Sequence, residues 1–475
     1  MMFNQKRLHP AAIFFNFIRV LRESIFAIVL GFITFKDDSL FYFVLITSGI
    51  LILMISFSIL SWYRYTYRIE DEELRIEYGI LIRKKRYISK NRIQSIDLTS
   101  GVIHRIFKLT RVQIETAGSG NGAEASLKAV KRTEGEALRQ ELKTASTKYA
   151  DENEEFIEQT NPSLKITFKR LFLAGSTSGS IGVLFALMAF GFSELEQFIP
   201  DHYYDSTVEW AIGLSVIFIV VLVIIFLILL WLFGIAGTMI KYGNFTITKN
   251  DNELFITRGL LEKKQVTIPL KRIQAVGIQE SIIRQPLGYV TIFAEIAGGS
   301  MDKGEDFSSI LFPIMKTDEV GDFFNTFLPE YAAENQDMIP LPKRARKFYL
   351  LRSSLPVIII GAGIGYFFTQ FVWVPILLLI GSLYLGVLRH KDGGFYQDGQ
   401  RLTIRYRTLS KNTVTMYHKR LQAFEKSQYL VQVNQKLATM KLSIIGKLGV
   451  GTHFKIKDLD ESRTHQIADW YSYRK

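Results

Sequence analysis

A chain of 475 residues that is 48% hydrophobic and 13% aromatic is too apolar for an ordinary soluble enzyme, and its apolar residues fall in blocks that read as membrane segments. Cysteine is absent, which excludes disulfides and thiolate metal sites. A net charge of +13 would suggest nucleic acid in a soluble protein, yet no helix-turn-helix, zinc-finger or RNP pattern is present, so no nucleic-acid partner is expected.

In chain order, residues 1–10 lack a cleavable signal pattern, so the first helix is expected to stay attached. A first membrane hairpin spans 11–62. Its second helix, 40–62, is 23 residues without a charge, enough for a hydrocarbon layer of roughly 30 Å. Its first helix, 11–35, contains Arg19, Arg22 and Glu23. A central charge costs about 2.5–3.5 kcal/mol, so these belong in an interface, where Arg19 and Glu23 can pair at i, i+4. A strand-rich domain follows at 63–145 and a charged linker at 146–170, with five polar residues at 151–155, four of them acids.

The second hairpin, 171–236, opens with a helix in which Gly175 and Gly179 are four apart, suited to close packing in lipid, and closes on the unbroken apolar run 216–230. The second strand-rich domain is placed at 237–330 and a basic linker at 331–354. The third hairpin, 355–388, must fit two crossings into 34 residues, each roughly 25 Å long, and is either short-spanning or re-entrant. The third domain occupies 389–475.

Loop charge gives the orientation. The loop at 36–39 has two acids and one base, and the loop at 193–209 has five acids and neither Lys nor Arg. Lys6-Arg7, Lys165, Lys169, Arg170, Lys343-Arg344, Arg346-Lys347 and Arg352 lie on the other side, so both termini and all three domains are expected in the cytoplasm. Anionic membrane lipid is then the nearest partner for the basic face.

The three domains are copies. Lys90-Asn91-Arg92-Ile93-Gln94-Ser95, Leu270-Lys271-Arg272-Ile273-Gln274-Ala275 and His418-Lys419-Arg420-Leu421-Gln422-Ala423 share a motif, with a Leu eighteen residues before each Arg (Leu74, Leu254, Leu402) and a Gly twenty-six after it (Gly118, Gly298, Gly446). Runs such as Glu73-Leu74-Arg75-Ile76-Glu77 alternate as half-buried strands do. Each copy closes with an amphipathic helix, at about 133–143, after Thr317 and after Asp458, with acids in the first turn. Each unit therefore reads as about 80 residues of antiparallel strands and one helix, a small sandwich or barrel with a helical plug.

Three such copies, each behind a membrane hairpin, resemble the YdbT-type bacterial membrane proteins with pleckstrin-homology-like (PH-like) domains, over the whole chain. The resemblance implies seven strands in a strongly bent sheet with a C-terminal helix, a multi-pass place in the bacterial cell membrane, and a setting of envelope stress and antimicrobial-peptide resistance. It also implies a partner, a smaller membrane protein with a single PH-like domain. It supplies no catalytic residues.

Among candidate sites, the basic turn Arg83-Lys84-Lys85-Arg86 stands out, with counterparts thinning to Lys263-Lys264 and Lys411. Clustered bases between strands match a polyanionic headgroup or a partner's acids. Arg92, Gln94, Arg272, Gln274, Arg420 and Gln422 are read as structural, the Arg bonding across strands while the following Ile or Leu packs inward. Seven scattered histidines show no metal spacing, and no phosphate loop or dinucleotide fingerprint occurs, so neither metal nor cofactor is expected. The reading is a non-enzymatic membrane scaffold; the alternative is an exporter of a peptide or lipid, which lacks an ATP site and the intramembrane charge that couples gradients.

Overall fold

The computed structural model describes residues 5–34, 38–70, 72–116, 125–147, 161–178, 216–298, 309–332, 337–446 and 451–472. The loop 193–209, Gly118, Gly179 and the acidic stretch 151–155 lie outside them.

Among the described residues each copy contributes seven strands, and the first of the seven precedes its membrane hairpin. In copy one β1 (Lys6–Arg7) stands ahead of helices α1 (Ala11–Thr34) and α2 (Asp38–Tyr63). Then come β2 (Thr66–Glu70), β3 (Glu73–Tyr78), β4 (Lys84–Ser89), β5 (Ile93–Ser100), the short α3 (Val102–Ile106), β6 (Leu109–Thr116), β7 (Ala125–Lys131) and α4 (Arg132–Thr147). Copy two runs β8 (Ser163–Lys165), α5 (Phe168–Ser176), α6 (Val216–Tyr242), β9 (Thr246–Asn250), β10 (Glu253–Arg258), β11 (Lys263–Pro269), β12 (Ile273–Glu280), β13 (Tyr289–Ile296), β14 (Ser309–Lys316) and α7 (Val320–Phe327). Copy three runs β15 (Ile339–Pro340), α8 (Arg346–Phe367), α9 (Trp373–Asp392), β16 (Gly394–Asp398), β17 (Arg401–Arg407), β18 (Lys411–Tyr417), β19 (Leu421–Ser427), α10 (Leu430–Asn434), β20 (Leu437–Ile445), β21 (Gly451–Asp460) and α11 (Glu461–Ser472).

The short strand ahead of each hairpin pairs with the strand just after it: Lys6 with Tyr67, Leu164 with Ile247, Ile339 with Phe395. Each hairpin thus leaves and re-enters its own domain, and both its ends are held at one place. Hydrophobic pattern could not show this, because two or three residues are too few for a periodicity.

Four helices among the described residues are long and apolar enough to cross a membrane: Phe41–Tyr63, Val220–Tyr242, Lys343–Phe367 and Thr369–Asp392. The third hairpin is longer than the 355–388 read from hydropathy. Its helices have 22 and 20 residues, about 33 and 30 Å at 1.5 Å per residue. The difference lies in Arg346, Lys347 and Arg352, which continue the helix because long basic side chains can carry their charge out along an apolar stem. In the second hairpin Gly175 packs directly on α6, where an added Cβ would lie 2.9 Å from the Ile235 Cα.

The repeated motif is a corner. Each copy has a 3-10 turn ending on the motif Arg (Lys90–Arg92, Leu270–Arg272, His418–Arg420), and the next strand slips register across the Gln, between Ile93 and Ser95, Ile273 and Ala275, Leu421 and Ala423. A turn followed by a bulge redirects the chain from one sheet into the next.

The chain divides into two units. The first holds residues 1–160 together with 261–269. Its core joins Leu74, Ile76 and Ile88 of the β1-β2-β3-β4 sheet to Leu109, Val112, Ile114 and Leu127, with Leu138 and Leu142 of α4 inserted. β11 pairs here with β5, Lys263 opposite Ser100 and Gln265 opposite Leu98. The Thr267 N–H donates to Asp97 Oδ1 at 3.0 Å, and Arg139 of α4 donates to Thr267 Oγ1 at 3.2 Å.

The second unit holds 161–260 and 270–475. It contains a seven-stranded sheet, β14-β13-β12-β18-β17-β16-β15, and a three-stranded one, β19-β20-β21. β12 and β18 pair over six residues from Ala275/Met416 to Glu280/Lys411, and Glu280 closes the ladder with an ion pair to Lys411 at 2.8 Å. Ala275, Leu402, Ile404, Val414 and Met416 share a core with Met440, Leu442 and Ile467 of α11.

Candidate functional site

The basic cluster of copy one is open to solvent, and the structure corrects its place: Arg83 alone lies in the turn, while Lys84, Lys85 and Arg86 begin β4, paired with β3. Arg83, with 59% of its side chain exposed, donates to Glu77; Lys85 lies 3.8 Å from the same carboxylate, and Lys84 and Arg86 are exposed. Beside them Leu81 and Ile82 are 93% and 73% exposed. Gly79 opens the turn at φ 110°, and Gly259 does the same in copy two at φ 102°; only glycine enters that region freely. In copy three Arg407 replaces the glycine and continues β17 instead.

The counterpart turns lie at the ends of membrane helices. In copy two the Gly259 and Leu260 N–H groups donate to the Gly243 and Ile240 carbonyls at the end of α6, and in copy three Arg389 of α9 donates to the Thr408 carbonyl at 2.9 Å. An exposed leucine recurs at one position of this turn, as Leu81, Leu261 and Leu409. Apolar tips with bases behind them suit a bilayer interface. Lys263 and Lys264 are placed differently from Arg83 to Arg86: they are half-buried in β11, opposite Ser100 and Thr99.

The motif residues are held unequally. Arg272 is buried, donates from Nε to the Ala297 carbonyl at 2.9 Å, and its own carbonyl accepts from the Ala297 N–H. Gln274 is buried and donates back to the Arg272 carbonyl at 3.2 Å. Arg92 and Gln422 are exposed, and Gln94 and Arg420 half-buried. Ile273 and Leu421 sit in the core beside them.

One further cluster of like charge among the described residues is one that spacing did not show. At the base of the third hairpin a pocket of about 500 Å³ is lined by Arg352, Arg389, Arg407, Lys455 and Lys457, with no Asp or Glu in its lining. Two neighbouring acids are already engaged: Asp392 by Arg407, and Asp458, fully buried, by Arg352 at 3.0 Å. Burial, then Arg352 and Lys455, hold the Lys457 ammonium below its ordinary pKa. These bases stand on α8, α9, β17 and β21, spread along the chain from Arg352 to Lys457, so no local pattern could find them. An anion of phosphate size is what such a pocket can take up.

Comparison with known proteins then decides the family. The bacterial PH domain family matches three times, at residues 17–146, 207–330 and 355–475. The chain belongs to this family. It is also 35% identical, over 100% of its own length and 99% of the relative's, to the UPF0699 transmembrane protein YdbT of Bacillus subtilis (strain 168).

Within these PH-like domains one further position recurs, twelve residues after the motif Arg. It is His104, Arg284 and Gln432, on or beside the short segment after β5, β12 and β19, and in each copy it ties the domain towards its first membrane helix. His104 stacks on Phe15 of α1 at 3.9 Å and bonds the Lys128 carbonyl at 2.9 Å. Arg284 donates to the Ala174 carbonyl of α5 at 3.0 Å, to Thr177 Oγ1 at 2.8 Å, and to Thr291 Oγ1 and the Pro313 carbonyl within its domain. Gln432 donates to Asp458, which carries Arg352 of α8. Burial lowers the pKa of both His104 and Arg284. Three different residue types share one task, so sequence similarity between the copies hid it.

Proposed function

We propose that this chain is a non-catalytic membrane scaffold that holds three PH-like domains at the cytoplasmic face and binds anionic lipid headgroups there, or a membrane-protein partner such as a smaller single-domain PH-like protein. The reading takes six helices in three hairpins, with both termini cytoplasmic, as loop charge requires. The observation that carries it is the pocket at the base of the third hairpin, where Arg389, Lys455 and Lys457 stand beside the ion-paired Arg352 and Arg407 and a lipid phosphate would meet them. It favours lipid over protein, since each base near an anionic surface contributes about 1 kcal/mol. The basic cluster Arg83-Lys84-Lys85-Arg86 with exposed Leu81 and Ile82 is the second contact.

The test is lipid recovery. Purified protein is expected to carry phosphatidylglycerol or cardiolipin above its membrane abundance, and the double substitution Lys455→Gln/Lys457→Gln should cut that enrichment several-fold. Unchanged enrichment in this variant, and in one with all four bases of 83–86 neutralised, would sink the lipid reading and leave a protein partner. The setting proposed is defence of the envelope against membrane-active cationic peptides; a deletion strain with unaltered peptide susceptibility would argue against it.

A further inference from the structure

The copies are joined by strand pairs that follow one rule. The strand after the motif of one copy pairs, antiparallel, with the strand before the motif of the next: β5 with β11, and β12 with β18. The register is the same both times. Ser100 faces Lys263 and Glu280 faces Lys411, each pair being the eighth residue after one motif Arg and the ninth before the following one. One interface has been built twice.

That rule leaves two strands unused. Among the described residues β4 ends the order β1-β2-β3-β4 and β19 ends the order β19-β20-β21, each with one edge not paired to a strand. Burial follows pairing. In β12 and β18, Ala275, Gly277, Val414 and Met416 are buried; at the equivalent places Ala423 and Glu425 of β19 and Arg86 of β4 are exposed, while Ile88 of β4 is buried in its own domain's core. An unpaired edge is a template for another strand of the matching kind.

We infer that β19 of one copy of this chain pairs with β4 of a second copy, in the register already used within the chain, so that the protein assembles head to tail in the membrane. The interface needs one strand of each kind, and this chain displays one of each, so it is its own complement in a heterologous contact that closes as a ring or continues as a filament. The shared register sets Glu425, which within the chain already pairs with Lys441 at 3.1 Å, opposite Arg86, and Phe424 opposite Tyr87, an opposite-charge pair and an aromatic pair of the sorts that stabilise antiparallel neighbours. It also sets Lys426 opposite Lys85, but each has its own acid, Glu461 at 3.1 Å and Glu77 at 3.8 Å. The inference goes beyond the scaffold reading and needs no lipid ligand.

The chain contains no cysteine, which makes the test direct. Full-length Glu425→Cys and Arg86→Cys variants carrying different tags are expressed together and oxidised in native membranes. Directly opposed residues place Cβ atoms about 4.5–5.5 Å apart, close to disulfide reach. The expected result is a mixed-tag dimer, a ladder of higher species from the double variant, and at least a several-fold lower yield when Lys84→Cys replaces Arg86→Cys. Glu280→Cys with Lys411→Cys, opposed within one chain, is the control for folding and oxidation. No mixed dimer while that control closes, same-variant dimers in equal yield, or capture of a different polypeptide at Glu425→Cys in place of a second copy would each overturn the inference.

Discussion

Strands β18 and β4 hold the same place in the repeat, and they live in different surroundings. β18 reads Lys411-Asn412-Thr413-Val414-Thr415-Met416-Tyr417, pairs on both sides, and buries Val414 and Met416 completely. β4 reads Lys84-Lys85-Arg86-Tyr87-Ile88-Ser89, pairs among the described residues with β3 alone, and buries Ile88. The difference teaches that a repeat's position in the array, and not only its fold, sets which side chains it can use. Bases along β4 discourage pairing with an arbitrary strand and leave the edge to one that brings an acid.

The comparison breaks most sharply at the position shared by Val414 and Arg86. Val414→Asp puts an unpaired carboxylate into a fully buried site, and a loss of about 4 kcal/mol or of folded protein is expected, whereas Arg86→Asp should change stability by no more than about 0.5 kcal/mol. Thermal unfolding in detergent, followed by aggregation onset, measures both. Equal losses would mean that β4 is covered within the folded chain.

Next in size are the residues that tie domains to helices. Arg284→Met removes a half-buried donor to four acceptors, two at the end of α5, and should cost about 1–3 kcal/mol. Gln432→Met should cost about 1–3 kcal/mol, because Asp458 keeps Arg352. Limited proteolysis at the domain and hairpin junctions ranks the two.

A smaller effect separates copy one by pH. Burial above all, and Arg111 besides, lower the His104 pKa, against the Lys128 carbonyl and Glu262. A base whose folded pKa is depressed binds more protons unfolded, so its contribution to stability is complete above the ordinary value of 6.5 and falls as pH drops below it. Copy one should therefore become more protease-sensitive between pH 7 and pH 5, and His104→Asn should flatten that dependence. The smallest effect expected is that of Lys84→Gln, within about 0.5 kcal/mol for stability and about 1 kcal/mol for binding to anionic vesicles at low salt.

Much of the fold was legible because hydrophobic pattern is local. The alternation in Glu73 to Glu77, the uncharged stretch 40–62 and the fixed spacing around Arg92, Arg272 and Arg420 each report on a few neighbouring residues and were enough for strands, membrane helices and a threefold repeat. The cluster of bases at 83–86 was visible for the same reason, but not that three of them begin β4. The motif's role as a corner was not, since a bulge at Gln94, Gln274 and Gln422 shows only against the partner strand.

Local pattern along the chain therefore carried the class of molecule: apolar membrane segments, three related strand-rich domains, a basic face and no cysteine chemistry. Tertiary structure alone decided the rest. It brought Arg352, Arg389 and Lys457 to one pocket, closed each hairpin with a strand of two or three residues, paired each copy with its neighbour and left β4 and β19 open. The physical reason is that these contacts join residues tens to hundreds of positions apart. Their energy depends on which surfaces are buried together, and no window along the chain contains that.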